Sequence, residues 1–170
     1  RRHLAGNLGG LLAVDAAPEV AAEAAEWGAD LVLVHHPLLL TPVHSLAATT
    51  PKGDIIAALA GAGCALFTAH TNADQASAGV SESLALALGL GDLTPILPLV
   101  DAPGTGTGRI GTVDPLSLAD FATAVSKALP QTAGGVRVAG DPGRVVRRVA
   151  VCGGSGDFLL DHLRDAEIDV

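Results

Sequence analysis

Aromatic residues are nearly absent: three Phe, one Trp and no Tyr make up 2% of the 170 residues, although 49% of the chain is hydrophobic. The core must therefore be built from Ala, Leu, Val and Ile. Small and branched aliphatics in apolar strands suit a parallel sheet covered by helices on both faces. Cations are scarce as well, with 10 Lys plus Arg against 18 Asp plus Glu and a net charge of -8. That balance opposes binding to phosphate backbones and offers nothing to an anionic membrane surface, so nucleic acid is a poor partner. Long unbroken apolar runs are missing too. Even the stretch 84–100 is interrupted by Gly89, Gly91, Asp92, Pro95 and Pro98, which argues against a membrane span. No amino-terminal segment has the basic-then-apolar layout of a signal peptide. The two cysteines, Cys64 and Cys152, each lie in an apolar run and read as buried, reduced thiols of a cytoplasmic protein. Methionine is lacking altogether, and the chain opens with Arg1-Arg2-His3 and stops at Ile168-Asp169-Val170. The last three residues read like the start of a strand, so further residues are expected at both ends.

What remains is a length suited to one domain with a sizeable core and a regular alternation of elements. Leu11-Leu12-Ala13-Val14-Asp15 reads as a strand. It is followed by a helix over 19–27 with Pro18 in its first turn and Gly28 at its end. Leu31-Val32-Leu33-Val34 is a second strand, 54–62 a helix, Cys64-Ala65-Leu66-Phe67-Thr68-Ala69 a third strand, and 80–88 a helix. Three strand–helix repeats predict a parallel α/β sheet. The segment 91–111, rich in Pro, Gly and Thr, reads as an irregular linker or crossover. Beyond it the pattern predicts a helix over 118–129 capped by Ser117, strands at 136–138 and 149–152, and a final helix over 158–164. The expected division is a first α/β half over 1–95, a linker over 96–112 and a second α/β half over 113–170.

Chemistry concentrates at the ends of two of these strands. His35-His36-Pro37 follows the second strand. Adjacent side chains on a regular strand point to opposite faces, so two histidines can share a site only if the strand ends at them, which Pro37 enforces. Carboxyl ends of parallel strands are where ligands collect in α/β folds, and imidazole is a common ligand for zinc-like metals. The plainer alternative is one core histidine beside an exposed one. His70-Thr71-Asn72-Ala73-Asp74 follows the third strand. Asp74 is a candidate metal ligand, or else a helix-start carboxylate. His70 is either a ligand or a neighbour that orients the site or handles a proton. His44 is a weaker candidate, and His162 and His3 read as solvated and terminal. Gly153-Gly154-Ser155-Gly156 is an anion-cradling turn or simply a tight strand-to-helix turn.

Ala29-Asp30-Leu31-Val32-Leu33-Val34-His35-His36-Pro37-Leu38 resembles the hallmark segment of the Nif-three-like dinuclear-metal family, also labelled GTP cyclohydrolase type 2 homologue. Pro51-Lys52-Gly53, Ala69-His70-Thr71-Asn72-Ala73-Asp74 and Val149-Ala150-Val151-Cys152-Gly153-Gly154-Ser155-Gly156 agree in order, and Gly108-Arg109-Ile110-Gly111 stands where some members of the family have an inserted domain before it. Gly6-Asn7-Leu8-Gly9 is a faint echo of the family's amino-terminal segment. The resemblance implies a mixed α/β fold with a sheet flanked by helices and two similar halves, in the compact form without an inserted domain. It implies His35, His36 and Asp74 as ligands, with the aspartate bridging two divalent ions per subunit. The sequence does not distinguish among Zn, Mn, Fe and Mg. The family adds a His and a Glu from a segment later than Val170. A homohexameric ring is implied, with a metal-dependent hydrolase acting on a small molecule such as a nucleotide. The other reading is a non-catalytic, ring-forming metalloprotein that serves as an assembly or adaptor module.

Overall fold

The computed structural model describes residues 8–170. His3 and the Gly6-Asn7 part of the amino-terminal echo lie outside them. The chain divides into two compact units, one ending at Thr71 and the other beginning at Asn72.

The first unit runs β1 (Gly10–Ala13), α1 (Pro18–Trp27), β2 (Leu31–Val34), α2 (Pro51–Gly61) and β3 (Ala65–Thr68). The three strands pair in parallel in the order β1-β2-β3, as the strand–helix alternation predicts. Alternation along β2 sends Val32 and Val34 inward, both 0% exposed. There they pack with Ala21 and Ala24 of α1 and with Ile55 and Leu59 of α2. Alanine on α1 lets that helix sit close to the sheet, which is how a core with so few aromatics fills. Thr50 caps α2 by accepting the Gly53 N–H at 3.1 Å, so the helix starts earlier than 54. A Cβ on Gly53 would collide with the Ala47 carbonyl, so the loop entering α2 demands glycine. On the opposite face of the sheet Leu12, Leu33 and Phe67 stand in register.

The second unit contains α3 (Thr71–Gln75, which begins at the boundary), α4 (Val80–Ala87), β4 (Gly91–Thr94), β5 (Leu97–Leu99), β6 (Ala102–Thr107), β7 (Arg109–Ser117), α5 (Leu118–Ala128) and β8 (Val145–Val151). A short 3-10 helix, Asp157–Leu163, stands where an α-helix was expected. β4, β7 and β8 form an antiparallel sheet in the order β4-β7-β8, and β5 pairs with β6. Ala85 of α4, Leu118 and Phe121 of α5, and Val146 and Val149 of β8 make its core.

Two expectations give way here. The segment 91–111 is mostly strand. Its glycines serve close pairing: a Cβ on Gly106 would run into the Leu97 carbonyl of β5, and Pro98 is tolerated because β5 lies in a two-stranded sheet. Conversely, Val136-Arg137-Val138 is not a strand. Residue alternation alone supplies no partner, and the hydrogen bonds that would define a ladder are not made there.

Buried Arg109 holds the second unit's elements together. It is 1% exposed and donates to the Gly106, Gly108 and Ala76 carbonyls and to Glu82 Oε2, the last at 3.1 Å. No helix among the described residues is long and apolar enough to cross a membrane.

Candidate metal centre

β2 ends at Val34, and the two histidines lie just beyond it. The Val14 carbonyl, one residue past β1, accepts both the His35 N–H at 3.1 Å and the His36 N–H at 2.9 Å. Two successive amides directed at one acceptor cannot belong to a regular ladder. The face-to-face alternation stops at this point, and both rings emerge on the same side with centroids 5.1 Å apart. β3 ends in the same way. The Ala69 N–H donates to Val34 O at 2.8 Å, and the next residue, His70, brings its ring to 4.9 Å from His35 and 5.9 Å from His36.

His35, His36 and His70 can each offer one ring nitrogen so that these atoms lie within 4.8 Å of one another. Donors on one tetrahedral zinc, each about 2.0–2.1 Å from the ion, sit roughly 3.4 Å apart. Three imidazoles gathered this closely are a donor set of the kind that zinc-class ions take. Two of the rings are already oriented. His35 Nδ1 is 2.9 Å from Ala69 O and His36 Nδ1 is 2.8 Å from Asp15 Oδ1. A carbonyl and a carboxylate can only accept, so each Nδ1 carries a proton, which in the neutral ring leaves the lone pair on Nε2.

The histidine pair and His70 are thus brought together, with His70 about as close to His35 as His36 is. Asp74 is half-buried on α3, one helical turn after His70 and in the second unit. Its charge is felt by Cys152: burial pushes that thiol up, Asp74 pushes it further, and a hydrogen bond from Ser81 opposes both. Neither His44 nor His162 joins the histidine cluster among the described residues, and both are exposed. At Gly153–Gly156 the structure has the tight turn. The Gly153 N–H donates to Ser81 Oγ at 3.3 Å, and Ser155 Oγ donates to the Asp157 carboxylate at 3.1 Å. Cys64 and Cys152 are free thiols, the first buried and the second half-buried.

Asp15 is the participant that sequence reasoning missed. It sits at the end of the first apolar run, where an acid reads the same whether it is solvated or bonded to a ring.

Parallel strands whose carboxyl ends gather three imidazoles define an α/β protein with a candidate metal centre. The chain belongs to the Duf34/NIF3 (NGG1p interacting factor 3) family, whose model matches residues 9–170. It is 47% identical over 165 residues to the GTP cyclohydrolase 1 type 2 homolog of Streptomyces coelicolor, covering 94% of this chain and 57% of that protein. It therefore spans little more than half the length of that relative. It is 32% identical over 264 aligned positions to the homolog of Mycobacterium leprae, covering 92% of this chain and 68% of the relative. That aligned span exceeds the whole length of this chain, so the mycobacterial protein carries additional residues inside it. The fold is similar to that of a Bacillus cereus protein related to NIF3, with a TM-score of 0.82 at 22% identity over 95% of this chain and 70% of that one.

Proposed function

We propose that this chain binds divalent metal through His35, His36 and Asp74, the aspartate being the bridging carboxylate that the family resemblance implies, with His70 beside the histidine pair as a further donor or a proton carrier, and that it works as a metal-dependent hydrolase. The observation that carries the reading is the cluster of three imidazoles, each able to place a nitrogen within 4.8 Å of the others. Asp74 enters on its place in the family-like His70-Thr71-Asn72-Ala73-Asp74 segment. An imidazole-rich donor set favours zinc- or iron-class ions over magnesium. Two ions per subunit are the reading that a bridging carboxylate suggests, a homohexameric ring comes from the family resemblance, and a cytoplasmic setting suits two cysteines that form no disulfide with each other.

The relatives' name, GTP cyclohydrolase 1 type 2 homolog, directs the choice of first substrate to a nucleotide. Metal held there would supply an activated water near neutral pH and polarise the bond under attack. The chain's own part is to hold His35 and His36 with Nε2 forward and to place His70 beside them as a third donor or a proton carrier. The family's description as an interacting factor favours a second reading, a metal-bound adaptor that assembles with a partner without turnover.

Elemental analysis of gently purified protein, followed by GTP turnover with zinc, manganese or iron, tests both. Near-stoichiometric metal that is lost in His35→Ala and His36→Ala is expected, together with hydrolysis that falls in step with the metal. Metal without turnover leaves the adaptor reading. Protein that takes up no metal overturns both.

A further inference from the structure

We infer that Asp15 is a positioning residue for the metal centre, fixing His36 in the one tautomer and orientation in which its Nε2 can bind a cation; the inference rests on the proposed metal-binding reading. The geometry is local to the first unit. β1 delivers two consecutive groups to the His35-His36 pair: the Val14 carbonyl takes both backbone N–H groups at 3.1 and 2.9 Å, and the Asp15 carboxylate takes the His36 ring N–H at 2.8 Å. The first contact turns the backbone so that both rings emerge together, and the second sets the angle of one ring about its own axis.

His35 receives the matching service from the Ala69 carbonyl at 2.9 Å, so neighbouring strands on either side of β2 each orient one histidine. A carboxylate on the far nitrogen also raises the basicity of the nitrogen that faces the metal.

Exposure decides what the Asp15–His36 contact is for. The two side chains are 66% and 52% exposed, and a polar contact in that setting adds little to folding. Stability is therefore a weak reason for the contact, and ring orientation a strong one.

The test uses the whole chain and three proteins: wild type, Asp15→Ala and Asp15→Asn. Ring 15N–1H correlations on metal-free protein read the His36 tautomer, and a chelator competition titration reads Zn2+ affinity. In the wild type the proton sits on Nδ1. In Asp15→Ala it redistributes towards Nε2, and Zn2+ binds roughly 10–100-fold more weakly, while the thermal midpoint of the metal-free protein stays put. Asp15→Asn, whose amide oxygen still accepts from Nδ1, recovers part of the affinity. An Asp15→Ala protein with unchanged tautomer and wild-type Zn2+ affinity overturns the inference alone, provided His36→Ala loses the metal. A wild-type chain that binds no Zn2+ overturns the metal reading and this inference together.

Discussion

Consecutive residues of a strand face opposite ways, yet the His35 and His36 rings lie 5.1 Å apart because both amides turn to the Val14 carbonyl. Pro37 carries part of this signal in the sequence: a residue without an N–H cannot extend the ladder, so the strand must end at the histidines. The Val14 and Asp15 half of the device gives no such signal, since a carbonyl belongs to every residue. Cys152 makes the residue scale testable. Burial raises its thiol pKa and the Asp74 carboxylate raises it further, so less thiolate exists near neutral pH than at an exposed cysteine. Alkylation by iodoacetamide at pH 7–8 is expected to be several-fold slower than for a cysteine in an unfolded peptide. Asp74→Asn removes the second cause and should speed the reaction. An unchanged rate in that variant would show that the two side chains do not sense each other.

At the scale of elements, the first unit was legible and much of the second was not, for a physical reason. β1, β2 and β3 are short apolar runs ended by glycine, proline or histidine, and parallel strands between helices leave that pattern in any sequence. β6 is written mostly in Pro, Gly and Thr and β5 has Pro98 at its centre, residues that signal turns, and the two pair closely enough to exclude a Cβ at Gly106. Val136-Arg137-Val138 has strand residues without a partner. Arg109, inside the Gly108-Arg109-Ile110-Gly111 segment, shows the same limit. From sequence it is one more cation, but in the fold it is 1% exposed and ties β6, β7, α4 and the residue after α3 through three carbonyls and Glu82. Arg109→Ala leaves those acceptors and a partly buried carboxylate without their donor, so a loss of about 3–5 kcal/mol is expected. Urea unfolding followed by circular dichroism measures it. A loss within the roughly 0.5 kcal/mol of an ordinary surface substitution would mean that water replaces the guanidinium without penalty.

At the scale of the whole molecule, the described residues form two separate cores, one built on Val32 and Val34 and one on Val146 and Val149, and the three histidines lie in the unit that holds the first. A ligand that binds only the folded state stabilises it by about 2.7 kcal/mol at one hundred times its dissociation constant. That stabilisation appears first in the opening reactions which break the site. Hydrogen exchange with and without Zn2+ should therefore change unevenly along the chain. Amides of His35, His36 and Ala69, whose bonds to Val14 and Val34 frame the cluster, are expected to slow most, and β8 and α5 least. α3 is the informative case. Slowing over Thr71–Gln75 that disappears in Asp74→Asn would mark the aspartate as a participant in metal binding, whereas slowing confined to the first unit would leave the three histidines as the whole of this chain's contribution. Slowing over the second core with none at His35, His36 or Ala69 would contradict the histidine site altogether, because a cation held by those rings must protect the amides that frame them.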